Sequence, residues 1–93
     1  MNQEMKYVVV NSEEQGDQLF IFPKNIDHNA FAEVLSNIRF YKNGNPRDWK
    51  RIYREPISAG FTDGNTCYGK SESLSMSSTH SDTVLLNSGG YSK

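Results

Sequence analysis

The amino-acid sequence predicts a single α+β domain, in which an antiparallel sheet of four to five strands packs one helix on one face. Three observations predict it: two β-branched and aromatic runs near the N-terminus, an amphipathic stretch over residues 28–38, and alternating apolar residues that end at an Asp-Gly pair. The chain has 93 residues, which fits one domain over residues 1–93. Its aromatic content of 12% argues against general disorder.

The first two predicted strands cover residues 6–11 and 18–22. Valine and aromatic side chains dominate both runs, and the polar segment between them contains Gly16, which suits a turn. Pro23 ends the second strand. Because the apolar run is nearly continuous, we expect this hairpin to lie centrally and to be covered by a helix on one face.

The amphipathic stretch predicts a helix over residues 28–38 with Asp27 as its N-cap. Its apolar residues recur at helical spacing and would form one buried stripe. The stripe comprises Ala30, Phe31, Val34, Leu35 and Ile38. His28 begins the helix, where we expect a solvated surface residue.

Further strands are predicted over residues 49–54, which Pro56 interrupts, and over residues 57–61. Asp63-Gly64 is the favoured pair for a two-residue type I′ turn, which would place Phe61 opposite Thr66 and Ala59 opposite Tyr68. The returning arm would run over residues 65–74, with alternating serines on one polar face.

A short C-terminal helix is predicted over residues 80–87. Thr79 and Asp82 have capping-box spacing, and the helix would bury Val84 and either Leu85 or Leu86. Residues 89–93 begin with a glycine pair, and we expect this tail to be disordered.

Residues 64–71 (GNTCYGKS) match the G-x-x-x-x-G-K-[ST] pattern of a phosphate-binding loop. That loop needs a parallel strand before it and a helix directly after the lysine, because the helix N-terminus holds the phosphate. The residues here favour a hairpin on both sides, so we interpret the match as a coincidence.

Charge is uneven along the chain, although the net charge is only −1. Residues 1–38 carry six acids and two lysines (−4), residues 39–54 carry six basic residues and one acid (+5), and residues 55–93 carry four acids and two lysines (−2). Aromatic residues are interleaved with the basic ones in the middle segment. The candidate binding residues there are Arg47, Trp49, Lys50, Arg51, Tyr53 and Arg54.

Three interpretations of this basic-aromatic segment stay open. The aromatic residues could complete the core while the charges stay solvated. Tryptophan, tyrosine and arginine are also the usual hot-spot residues of protein interfaces. Alternatively, aromatic faces stack on bases while arginine and lysine neutralise phosphates, which would bind a nucleotide or nucleic acid.

The sequence predicts no catalysis, no metal site and no cofactor. Ser78, His80 and Asp82 are close in sequence, but a triad needs converging geometry and an oxyanion hole, and we expect helix capping instead. The single cysteine, Cys67, is expected to be a buried or half-buried strand residue and suits a reducing cytosol. No apolar run approaches the length that spans a bilayer.

A partial resemblance covers residues 57–86. The segments SAGF (58–61), CYGKSESL (67–74), Ser77-Ser78 and DTVLL (82–86) are similar to a pattern in small phage and prophage proteins of uncharacterised function. Their helix entry resembles S-R-P-x-D-x-x-L, whereas Thr79-His80 stands here in place of Arg-Pro. The resemblance implies a phage setting, in the cytoplasm of a bacterial host.

These observations lead to two functional hypotheses. The first is a non-catalytic phage accessory protein that binds a bacterial host protein and inhibits host defence, as an anti-CRISPR protein does. The second is a module that sequesters a small nucleotide or nucleic acid through the basic-aromatic segment. A second copy of the chain is a further candidate partner, through an exposed strand edge.

Overall fold

Four strands form a curled antiparallel sheet, as the sequence predicts, in a computed structural model that describes residues 4–12, 16–41, 49–51 and 53–88. Two further strand pairs form short separate ribbons. The strands in chain order are β1 (Met5–Ser12), β2 (Gly16–Phe22), β3 (Arg39–Tyr41), β4 (Trp49–Arg51), β5 (Tyr53–Thr62), β6 (Cys67–Tyr68), β7 (Lys70–Ser71) and β8 (Met76–Ser77). The helices are α1 (His28–Ser36) and α2 (His80–Asn87).

The main sheet has the order β2-β1-β5-β6, so the predicted N-terminal hairpin is confirmed and β1 lies inside the sheet. Val8 and Val10 face a core that α1 closes with Leu35. Tyr7 and Val9 face the opposite core, which α2 closes with Leu86. The expectation of a helix on one face is therefore incomplete. Helices cover both faces, and this is why the apolar run of β1 is nearly continuous.

Helix α1 begins after Asp27 as predicted, but it is rotated relative to the predicted stripe. His28, Ala32 and Leu35 are buried, and Val34 is 60% exposed. The Phe31 ring stacks on Phe22 with centroids 4.3 Å apart and planes 4° apart. With Phe31 against Phe22, the buried side of α1 is displaced by one residue position from the predicted stripe. Ala30, Val34 and Ile38, which belong to that stripe, are exposed.

Strand β5 runs through Pro56, so the predicted interruption there is wrong. Val9 pairs with Ser58 while Val10 pairs with Pro56, which leaves Ile57 as an extra residue in a β-bulge. A bulge tolerates proline because the missing N–H falls where the ladder is already irregular. A second register shift follows between Val10 and Ser12. The two shifts bend β5 and curl the sheet.

The chain reverses at Asp63-Gly64, but through a loop of residues 63–66, so the predicted two-residue register is wrong. Phe61 pairs with Tyr68 rather than Thr66. Asp63 Oδ1 accepts the backbone N–H groups of Asn65 (2.8 Å) and Thr66 (2.9 Å), which stabilises the longer loop. Gly64 has a φ of +99°, which favours glycine.

The returning arm is not one strand over residues 65–74. Gly69, with a φ of +76°, separates β6 from β7, and residues 72–75 form a turn before β8. Ser71 is buried and accepts the backbone N–H of Leu74 (3.2 Å), so the serines do not share a polar face. Lys70 lies in β7 and a turn follows it, so the hairpin interpretation of residues 64–71 is confirmed.

Helix α2 begins after Thr79, as its capping-box spacing predicts. The backbone N–H of Thr79 donates to Asp82 Oδ2 (3.0 Å), which is the reach-back bond of a capping box. Leu86 is buried and Leu85 is half-buried, as expected. Val84, predicted to be buried, is 55% exposed.

Candidate functional site

The basic-aromatic segment forms part of a two-stranded ribbon. Strand β4 holds Trp49, Lys50 and Arg51, Arg54 lies in β5, and Arg47 lies outside the described residues. The register pairs Arg39 with Arg51, Phe40 with Lys50 and Tyr41 with Trp49. Because directly opposite residues share a face, positions 39, 41, 49 and 51 lie on one face of this β3–β4 ribbon.

Tyr53, the fifth candidate residue in sequence order, belongs to the core on the α1 side. Its ring packs edge-on against Phe20, with centroids 5.1 Å apart and planes at 86°. It is half-buried and contacts the cluster of Val8, Val10 and Leu35. For this residue the structure supports the core interpretation of the segment.

Apolar residues on α1 and just after it are exposed. Ala30 and Val34 are four residues apart, which places them on one side of the helix, and Ile38 follows two residues after the helix ends. Val34 is 60% exposed and Ile38 is 37% exposed. Ile38 directly precedes Arg39, the first residue of β3, so this α1 flank (Ala30, Val34 and Ile38) continues along the chain into the ribbon.

A buried carboxylate joins α2 to the sheet. Asp82 is 4% exposed and accepts hydrogen bonds from the hydroxyl groups of Tyr7 (2.5 Å) and Ser58 (2.8 Å). The hydroxyl group of Thr79 donates to it as well (2.9 Å). Burial and the carboxylate of Asp82 raise the pKa of Tyr7 far above its usual range, so this phenol stays protonated as a donor. The network holds α2 in place.

His28 is buried, so the expectation of a solvated residue is wrong. Its Nε2 lies 2.8 Å from the carbonyl oxygen of Gly60, and its ring packs edge-on against both Phe22 and Phe61, at 5.6 Å. The neutral ring donates its Nε2–H to that carbonyl. Burial lowers the pKa of His28, and the nearby charge of Lys6 lowers it further, against opposing effects of the Gly60 carbonyl and Asp27.

Acidification is expected to destabilise the fold through His28. The unfolded chain takes up a proton as the pH falls through about 6.5, whereas the folded ring resists protonation until a lower pH. The free energy of unfolding should therefore fall below pH 6.5, by at most about 1.4 kcal/mol per pH unit. Urea unfolding at several pH values would measure this slope. His28→Gln should flatten it, and the same substitution at the exposed His80 should not.

Among the described residues, no group of three or more His, Cys, Asp or Glu side chains could hold a metal ion. His80 is exposed at the start of α2, and Asp82 accepts hydrogen bonds from Tyr7, Ser58 and Thr79 and caps the helix, as expected. Cys67 is half-buried in β6, as predicted, and burial raises the pKa of its thiol. Within the described chain, neither helix has the length and apolar character needed to cross a membrane.

Sequence reasoning missed two contributions to this architecture. His28, Ala32 and Leu35 follow helical spacing, but a histidine was not counted as an apolar position. The bond between Ser58 and Asp82 joins residues 24 positions apart, which no local pattern predicts.

Comparison with models of known protein families, with curated proteins and with solved structures found no match for this chain.

Proposed function

We propose that this protein is a non-catalytic binding module that attaches to a bacterial host protein. The observation that carries the proposal is the exposed α1 flank, which leads along the chain into the β3–β4 ribbon. Val34 and Ile38 expose apolar surface that the fold itself does not use. The segment that follows this flank along the chain contains tryptophan, tyrosine and arginine, the residue types enriched in protein interfaces.

The phage setting and the inhibition of host defence are part of this proposal. They rest on the sequence resemblance over residues 57–86. The non-catalytic role is likewise part of the proposal and rests on the sequence, in which no residues have the spacing of a catalytic or metal site.

Affinity capture from a bacterial lysate tests the proposal. The wild-type chain is expected to retain a discrete host protein, and Val34→Glu should lose it, because a carboxylate cannot be desolvated in an apolar contact without a large penalty. Ile26→Glu is the matched control, since Ile26 is an exposed apolar residue (37%) outside the α1 flank. Retention of the same proteins by all three chains would contradict a role for the α1 flank.

The register of the β3–β4 ribbon favours a second candidate function, the binding of single-stranded nucleic acid. Aromatic positions Tyr41 and Trp49 lie opposite one another, next to the opposed Arg39 and Arg51. Aromatic residues next to cationic ones are a typical combination for binding unpaired bases.

Fluorescence anisotropy with a labelled single-stranded oligonucleotide tests this second candidate. Binding should weaken with salt, by about 0.7 log units per log unit of salt for each phosphate contacted. The double variant Trp49→Ala with Arg51→Ala should abolish binding, whereas Lys70→Ala, in the separate β7–β8 ribbon, should not. A flat salt response would discard this candidate.

A further inference from the structure

A groove lies between α2 and the bulged part of β5, on the face of the sheet opposite α1. It has a volume of about 430 Å³, and its walls include Val9, Ile57, Val84 and Leu85. Ile57 is 54% exposed and Val84 is 55% exposed. The α2–β5 groove therefore offers apolar walls that the core of the domain leaves open.

The β-bulge creates this opening. Because Ile57 is the extra residue between the paired Pro56 and Ser58, it lines the same groove as Ser58 instead of facing the α1 core beside Ala59. A regular strand would send alternate side chains to opposite faces. The bulge thus re-aims one large apolar side chain from the core to the groove.

The charges around the groove are of one sign. Asp17 and Asp82 are its charged lining residues, and among the described residues no lysine or arginine lines it. Every hydrogen bond that Asp82 accepts comes from a neutral donor of Tyr7, Ser58 or Thr79. The α2 N-terminus offsets only about half a charge. The charged side chains that line the groove are therefore net negative.

We propose that the α2–β5 groove binds a peptide segment of a partner protein in which a lysine or arginine lies next to apolar residues. The apolar residues and the aliphatic stem pack on Ile57 and Val84, while the cationic head lies toward Asp17, which is exposed at the rim. Ser81 and Thr79 line the same rim and offer hydroxyl acceptors. This site is separate from the α1 flank, because the two lie on opposite faces of the sheet.

A titration by two-dimensional amide NMR tests the proposal, with a short peptide that alternates leucine and arginine as the probe. Saturable shifts are expected at Ile57, Ser58, Val84 and Leu85, and they should weaken as salt rises. A matched peptide that alternates leucine and glutamate should leave these signals unchanged. Equal binding of the two peptides, or no shift in the groove at saturating probe, would overturn the proposal.

Lysine substitutions at two exposed valines distinguish peptide binding in the groove from binding elsewhere on the surface. Val84→Lys places a cation on the groove wall and should weaken the arginine peptide roughly tenfold or more. Val34→Lys makes the same change on the opposite face and should leave the affinity within about twofold. Unchanged binding by Val84→Lys would refute the site. Groove shifts on concentrating the chain without peptide would assign the groove to a second copy and would also refute it.

Discussion

Replacement of Asp82 by alanine is expected to lower the free energy of unfolding by about 3 kcal/mol. The carboxylate accepts hydrogen bonds from Tyr7, Ser58 and Thr79, and the first two of these are buried. Without Asp82 those hydroxyl groups lose their acceptor at a site with little access to water. A domain of this size has roughly 5–14 kcal/mol in total, so the loss is a large fraction. Urea unfolding followed by circular dichroism would measure it.

Two companion variants show whether the network causes this loss. Glu72→Ala, an exposed acid in the turn after β7, should change the free energy of unfolding by less than about 0.5 kcal/mol. Tyr7→Phe alone should cost about 1 kcal/mol, and this cost should vanish once Asp82 is alanine, because the phenol then has no acceptor to lose. Additive effects of the two substitutions would show that the Tyr7–Asp82 bond contributes nothing measurable.

Much of the fold follows from local sequence signals. The N-terminal hairpin, α1 and α2 each carry a signal within a few residues: valine-rich strands around Gly16, Asp27 before an amphipathic stretch, and the spacing of Thr79 and Asp82. Such signals depend on backbone preferences and on periodicity, which a single sequence displays. For the same reason the small α+β class is predictable although the strand order is not.

The sequence was less informative where side chains bond to backbone groups or where strand pairing is long-range. The loop over residues 63–66 is longer than the Asp-Gly pair predicts, because Thr62 Oγ1 donates to the carbonyl oxygen of Thr66 (2.7 Å) and accepts the N–H of Gly64 (3.0 Å). The bulge at Ile57 depends on pairing with β1, more than 40 positions away. Neither the loop length nor the bulge produces a periodic pattern in the sequence, so neither could be predicted from it.

The candidate surfaces were partly predictable. The composition of the sequence identifies Trp49, Lys50 and Arg51 as candidates. The ribbon with its three cross-strand pairs could not be predicted, because residues 39–41 were not predicted as a strand. The α1 flank and the α2–β5 groove could not be predicted, because helical spacing predicts that Val34 and Val84 are buried, whereas both are exposed. Amphipathic spacing locates a face, but packing decides which of two neighbouring stripes is covered.

Replacement of Phe22 by alanine is expected to cost about 3–5 kcal/mol of the free energy of unfolding, the largest effect of any single truncation considered. Phe22 is 2% exposed, stacks on Phe31 and meets the His28 ring edge-on. Its removal leaves a cavity beneath α1, which cannot close because both neighbouring rings belong to the same rigid helix. Thermal and urea unfolding would measure the loss.

Val34→Ala is the matched control on α1. If the Phe22–Phe31 stack sets the rotation of the helix, truncation of Val34 should change the free energy of unfolding by less than about 0.5 kcal/mol, because most of this side chain is already in water. Similar losses for the two variants would mean that the stripe through Ala30, Val34 and Ile38 is buried after all. The α1 flank would then be core rather than a surface for a partner, so this pair of measurements tests the packing on which the proposed function depends.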